Sequence, residues 1–241
     1  IHFMIPRPYQ LVGRDFLLAR RHALLADQMR VGKSPQAIMA ADAVGAERVL
    51  VLCPAIASYQ WCEHWNDWSD RSPATIIGRN IDVSAHGVYI ASYNRAVQHR
   101  DALRDAGWCW DVVIADEAHF AKNPEAQRTS LVYGKQGVGW NANRIWALTG
   151  TPAPNHAGEM WPMLRAYGAV RCTYDEFIRY YCHYNWQTGT VFGNKREHLD
   201  ELRALIAPFT LRRTLRQVAP DMPAISYNFL NVEPRGIDLR T

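Results

Sequence analysis

Ala23-Leu24-Leu25-Ala26-Asp27-Gln28-Met29-Arg30-Val31-Gly32-Lys33-Ser34-Pro35 joins a short apolar run to the start of a helical pattern across a polar loop. An apolar run of this length, bounded by polar residues, reads as a buried strand. Pro35 suits the first turn of a helix, where its missing N–H has no partner to lose. A strand, a loop and a helix in that order can aim backbone N–H groups and the positive end of the helix at an anion. Gly32 lets the backbone close on phosphate oxygens, Lys33 can reach the outer phosphates, and the Ser34 hydroxyl is a group that coordinates magnesium. One departure stands out: the common phosphate-loop pattern has glycine five residues before Gly32, and this chain has Asp27.

Outward from that stretch, similar apolar runs recur at Val49 to Cys53, Val88 to Ala91, Val112 to Ala115 and Ile145 to Leu148. Helical patterns lie between them, for example Gln36 to Val44 and Ser58 to Trp68. Strands that alternate with helices imply an α/β fold, a parallel sheet with helices on both faces. Trp61, Trp65 and Trp68 share one face of the second helix, a stripe that reads as core packing rather than a platform for stacked bases. After Pro154 the strand rhythm stops. Gly158 to Tyr184 and His198 to Ala207 read as helices around a hairpin-like stretch from Thr188 to Asn194, and Ile225 to Val232 alternates with the period of a strand. The expected division is a core over 1–155, a helical extension packed on it over 156–224, and a strand and linker over 225–241.

Val112-Val113-Ile114-Ala115 leads at once into Asp116-Glu117-Ala118-His119. Open α/β sheets bind ligands at the carboxyl ends of their strands, so two acids there stand where the loop around Lys33 also points. Asp116 is placed to hold a magnesium ion, through water, and Glu117 to orient and deprotonate a water that attacks a γ-phosphate. The plainer alternative is an acidic strand end that caps the next helix.

A chain of 241 residues with 48% hydrophobic side chains can bury a sizeable core, and a formal charge of +4 suits a polyanionic partner without approaching a histone-like balance. Its five cysteines are scattered with no Cys-x-x-Cys pair, which argues against zinc and for reduced thiols. No apolar run approaches the ~18 residues that cross a bilayer, and Ile1 to Arg7 lacks the layout of a signal peptide. The expectation is a soluble, intracellular protein of the cytoplasm or nucleoid of a prokaryote or virus, or of a eukaryotic nucleus, with no membrane partner.

In their order, these residues resemble the Swi/Snf-like ATPases of helicase superfamily two. Arg7-Pro8-Tyr9-Gln10 is similar to the family's adenine-side motif, Ala26 to Ser34 to its phosphate loop, and Leu52-Cys53-Pro54 with Trp61 to its next motif. Trp110 to His119 with Lys122-Asn123 resembles its acidic box, Leu148-Thr149-Gly150-Thr151-Pro152 with Asn155 its coupling motif, and Pro208 to Arg213 the segment that closes its first lobe. The family itself carries aspartate at the position of Asp27. Arg30 replaces a usual glycine and Gln28 a common glutamate, while Ser34 keeps the hydroxyl of the usual threonine. Arg30 could add a cation near the phosphates or simply face solvent.

The resemblance implies a RecA-like first lobe that binds ATP and Mg2+ and acts on double-stranded DNA, with a second RecA-like lobe expected beyond this chain or on another. Without that lobe, hydrolysis is expected to be poor. Nucleotide contacts are implied for Arg7, Gln10, Asp27, Gln28, Met29, Arg30, Val31, Gly32, Lys33 and Ser34, catalysis for Lys33, Asp116 and Glu117, and the metal for Ser34 and Asp116. Coupling between nucleotide and DNA falls to His119, Thr149, Gly150 and Thr151, and DNA contact to Ser58, Ser92, Tyr93, Asn94, Arg95 and Lys122. Arg212, Arg213 and Arg216 could face DNA, meet the other lobe or decorate a solvated helix. Two other functions remain open. A DEAH-type RNA helicase shares the acidic box, but that class has Ser-Ala-Thr where this chain has Gly150-Thr151-Pro152. A nucleotide-gated DNA-binding module without hydrolysis would have little use for Lys33, Ser34, Asp116 and Glu117 together.

Overall fold

The computed structural model describes residues 4–71, 73–81, 83, 86–105, 109–185 and 187–220. The first half alternates strands and helices: α1 (Pro8–Leu18), β1 (His22–Leu25), α2 (Lys33–Ala43), β2 (Arg48–Cys53), α3 (Ser58–Trp68), β3 (Ala74–Ile76), β4 (Gly87–Ser92), α4 (Tyr93–Gln98), α5 (Arg100–Arg104) and β5 (Val112–Asp116). Then follow α6 (Gln127–Tyr133), β6 (Ile145–Leu148), α7 (Trp161–Ala166), α8 (Tyr174–Tyr181), β7 (Cys182–Asn185), β8 (Thr190–Asn194), α9 (Leu199–Ile206), β9 (Thr210–Leu211) and α10 (Leu215–Val218). Among the described residues no helix is long and apolar enough to cross a membrane.

The main sheet has the order β3-β4-β2-β5-β6-β1-β9, and its strand pairs are parallel. Because side chains alternate along a strand, each buried strand supplies two cores. Leu25, Val49, Val51, Ile90, Ile114 and Leu148 pack on one face with Leu17 of α1, Ile38 of α2, and Trp61 and Trp65 of α3. Leu24, Leu50, Leu52, Val113 and Ala147 pack on the other, with Leu131 of α6, Leu164 of α7 and Phe177 of α8. Trp61 and Trp65 are 2% and 1% exposed, so the tryptophan stripe is core.

All five apolar runs are strands, and the helix predicted from Gln36 begins at Lys33. The continuous helix expected from Gly158 to Tyr184 is instead broken. Gly168 sits at φ +75°, a left-handed conformation that ends α7 without steric penalty. Thr173 then starts α8 by accepting a hydrogen bond from the Glu176 N–H through its Oγ1 (3.3 Å). The hairpin-like stretch is the β7–β8 antiparallel pair, which begins inside the predicted helix at Cys182. The strand expected from Ile225 to Val232 lies outside the described residues. β9 comes from the predicted extension yet pairs with β1, Leu24 opposite Thr210 and Leu25 opposite Leu211. That pairing carries the chain after Leu211 to the base of the loop that follows β1.

Candidate nucleotide-binding site

Parallel register decides which loops meet. Leu25 lies opposite Leu148, and Leu148 opposite Asp116. The phosphate loop, the coupling loop and the acidic box therefore leave one edge of the sheet at one level, with β6 between the other two strands. The contact is close: a Cβ added to Gly150 would stand 3.3 Å from Met29 Cγ and 3.7 Å from the Asp27 carbonyl oxygen.

The phosphate loop is built from both ends of the described chain. Gly32 takes φ +79° and precedes α2, whose first residue is Lys33. The Lys33 Nζ donates to the Asp27 carbonyl oxygen (3.1 Å), a position from which the side chain can swing toward a phosphate. Gln10 accepts from the Arg7 N–H (2.8 Å). Its Nε2 lies 2.8 Å from where a Gly32 side chain would begin, so a side chain there would push Gln10 aside, and the φ of +79° would strain any L-residue. Met29 and Arg30 are exposed and Val31 is buried.

Two predicted nucleotide contacts are placed otherwise. The Asp27 carboxylate is 0% exposed and is forked by Arg213, whose Nε and Nη2 donate at 3.0 and 2.5 Å. Gln36 accepts from the same Nη2 (2.7 Å) and donates to Gly32 O (2.9 Å), and Arg213 Nη1 donates to Tyr9 O (2.6 Å). A carboxylate so enclosed braces the loop from beneath rather than meeting a nucleotide. Gln28 accepts from the Leu215 N–H (2.8 Å) through its side chain, turned toward α10. Of the three arginines whose role the sequence leaves open, Arg213 is this internal brace, while Arg212 and Arg216 are exposed. The missed signal is chemical: an aspartate at a glycine position within a buried loop calls for a cation, which here is 186 residues away.

Arg30 has φ +69° at the third position of the turn closed by Val31 N–H to Gln28 O (3.3 Å), where turn geometry favours glycine. An L-residue there costs about 1–2 kcal/mol, and glycine gives back about 0.5–1 through the unfolded chain. Arg30→Gly is expected to raise stability by about 0.5–1 kcal/mol in urea unfolding. A lower midpoint would show that the arginine side chain contributes contacts worth more than the strain.

At the end of β5, Asp116 accepts from the Trp61 indole N–H (2.7 Å). Burial pushes its pKa up, opposed by that hydrogen bond and by the nearby Lys33 charge. Glu117 has φ +46°, an uncommon conformation for a glutamate. Its Oε2 lies 3.1 Å from His119 Nδ1 and accepts from Thr149 Oγ1 at 3.4 Å. His119 Nδ1 and Thr149 Oγ1 are themselves 3.2 Å apart, and the Thr151 N–H donates to Thr149 Oγ1 (3.1 Å). His119, Thr149, Gly150 and Thr151 are thus brought together with Glu117. Trp61 is a site residue whose indole role the sequence did not disclose.

The predicted DNA contacts divide. Ser58 is 6% exposed, its Oγ 3.6 Å from Cys53 Sγ. Tyr93 is 3% exposed and donates its hydroxyl to Asp116 O (2.7 Å). Lys122 is paired with Glu159 at 2.6 Å. Ser58 and Tyr93 are thus turned into the fold, whereas Lys122, its side chain 31% exposed, is held in an ion pair. Ser92 accepts from the Arg95 N–H (3.3 Å) as the cap of α4, and Arg95 donates to Gln98 (2.8 Å). Asn94 is exposed and accepts twice from Arg128, at 2.8 and 3.2 Å. Arg128 lies 5.6 Å from the ring of Phe120, which stacks on Tyr93. Asn94, Gln98, Phe120 and Arg128 line an open cleft of about 490 Å³. Nothing in the sequence singled out Phe120 or Arg128.

The family model described as the SNF2-related domain matches residues 9–238. A SWI/SNF-related matrix-associated actin-dependent regulator of chromatin subfamily A-like protein 1 of Drosophila melanogaster is 28% identical over 222 residues, covering 89% of this chain and 29% of that protein. A DNA annealing helicase and endonuclease of Bos taurus is 29% identical over 234 residues, covering 90% of this chain and 21% of its own. Among solved structures, a Sulfolobus solfataricus SWI2/SNF2 ATPase core in complex with dsDNA superposes with a TM-score of 0.74 at 24% identity, over 92% of this chain and 49% of the other. The chain thus spans less than a third of either curated relative and about half of the solved core.

Proposed function

The chain belongs to the SNF2-related domain family, and from that membership we propose that it is the first lobe of an ATP-driven motor on double-stranded DNA. The observation that carries the reading is the junction of Glu117 Oε2 with His119 and Thr149, at the edge where Lys33 and Asp116 also stand. It links the carboxylate that would handle water to the loop that would sense DNA. The DNA named with the solved Sulfolobus core and the DNA annealing activity in the bovine relative's name favour the same partner, and a site of work in a nucleoid or nucleus.

In this reading Gln10 and Arg7 lie on the adenine side, and the N–H groups of Gly32, Lys33 and Ser34 at the start of α2 receive the phosphates. Lys33 exchanges the Asp27 carbonyl for an outer phosphate oxygen, and the exposed Met29 and Arg30 border the mouth. Ser34 and Asp116 offer the hard oxygen ligands that Mg2+ prefers, and once bound the ion would supply positive charge against the phosphoryl group. Glu117 orients the water and takes its proton, with the Thr149 hydroxyl and the His119 ring fixing its carboxylate. The described residues 156–185 and 187–220 complete the lobe, since β9 lies in its sheet and α7 and α8 in its core. The solved core, of which this chain matches about half, implies a second RecA-like lobe outside the matched part. Arginines from that lobe would supply about 10³–10⁵ in rate, so this lobe alone should bind ATP and turn it over slowly.

For DNA, the exposed Asn94 and Phe120 edge and the half-buried Arg95 and Arg128 replace Ser58, Tyr93 and Lys122 as the proposed contacts, with Ser92 as the cap that positions them. An amide, guanidinium groups and one ring suit phosphate and sugar contact without base readout. The deciding experiment measures ATP hydrolysis by the intact protein with duplex DNA, with RNA and with neither. Stimulation by duplex DNA is expected. Greater stimulation by RNA would replace this reading with an RNA helicase, and no hydrolysis under any condition would leave a nucleotide-gated binding module.

A further inference from the structure

Beside the junction at Glu117, a second connection joins the same two loops. Lys122 follows the short 3-10 turn Ala118–Ala121 after the acidic box, and its Nζ donates to Glu159 Oε1 at 2.6 Å. The same oxygen accepts from Asn155 Nδ2 (2.6 Å), and Oε2 accepts from the Asn155 backbone N–H (3.1 Å). Asn155 lies in the loop after β6, four residues beyond Thr151. Glu159 is 9% exposed. Burial acts to raise its pKa, but the hydrogen bonds from Lys122 and Asn155 outweigh it and hold the carboxyl below its ordinary value. It is charged, buried and held from two directions.

One contact between two loops leaves them free to pivot, whereas two contacts fix their relative orientation. The Glu117, His119 and Thr149 group is the first contact, and Lys122, Glu159 and Asn155 form the second. We infer that Glu159 is a positioning residue that locks the loop after β5 to the loop after β6, so that a displacement of either is transmitted to Glu117. It touches neither nucleotide nor DNA in this scheme. The inference rests on the motor reading and adds to it a residue that no motif singled out. The lone acid in Ala157-Gly158-Glu159-Met160-Trp161 is its only mark in the sequence.

The test uses the intact protein with Glu159→Gln, Lys122→Met and both together. Glutamine keeps the shape and weakens the bond to Lys122, so the variant should fold. ATP affinity, read with a fluorescent nucleotide, is expected to stay within about twofold, while stimulation by duplex DNA falls by about tenfold, within the usual range of coupling between sites. The double variant is expected to be no worse than the weaker single one. A structural role alone would lower the thermal midpoint and reduce basal and stimulated rates in equal proportion, and that result would overturn the inference. Undiminished stimulation in a folded Glu159→Gln protein would overturn it while leaving the motor intact. A wild-type protein that DNA does not stimulate would instead remove the motor reading and this inference together.

Discussion

Arg213→Ala is expected to destabilise the chain by about 3–5 kcal/mol, the range for removing one partner of a buried ion pair. The magnitude follows from what is left behind. Asp27 is 0% exposed, and without the guanidinium its carboxylate retains, among the described residues, only the 3.4 Å contact from Gln36. Gln36 loses its own donor, and Tyr9 O loses the link that ties α1 to the end of the sheet. The effect should extend to the nucleotide, because the Asp27 carbonyl is the resting partner of Lys33 and a shifted Asp27 misplaces the loop. Urea unfolding and nucleotide titration of the same variant are expected to fall together. Adding Asp27→Asn should recover part of the stability, since the remaining buried group is then neutral. Unfolding of Arg213→Ala within about 1 kcal/mol of wild type would mean that water reaches Asp27 and that the brace is a surface pair.

That brace marks where the sequence stops being readable. Val49 to Cys53 and Val112 to Ala115 announce themselves because a strand buried on both faces must be apolar throughout. β3 and β9 do not, because Ala74-Thr75-Ile76 and Thr210-Leu211 are strands only by virtue of a neighbour that supplies hydrogen bonds. The acidic box and the phosphate loop were legible as types and order, and register brings them to one edge as strand polarity requires. What individual side chains do there was not. Ser58 and Tyr93 lie in the right segments, yet one is turned inward against Cys53 and the other spends its hydroxyl on Asp116. Asp27 and Arg213 are far apart in sequence, and no periodicity links them. The left-handed backbone at Arg30 could be suspected from the glycine it replaces, but its occurrence is a property of the turn.

Glu117→Gln is expected to lower DNA-stimulated ATP hydrolysis by about 10²–10⁴ while ATP affinity is kept, the usual contribution of a positioned general base. The substitution isolates the chemistry because glutamine has the same shape and tolerates φ +46° no worse than glutamate. It can still accept a hydrogen bond from Thr149 through its amide oxygen, but it cannot take a proton from water. Asp116→Asn should behave differently: the indole of Trp61 keeps an acceptor, yet the charge that would hold Mg2+ is gone, so the requirement for Mg2+ should rise along with the loss of rate. The two acids are neighbours in sequence, and their variants separate the metal from the proton. Hydrolysis by Glu117→Gln within tenfold of wild type would show that the water loses its proton elsewhere, and Glu117 would then be a strut for His119 and Thr149 rather than the base.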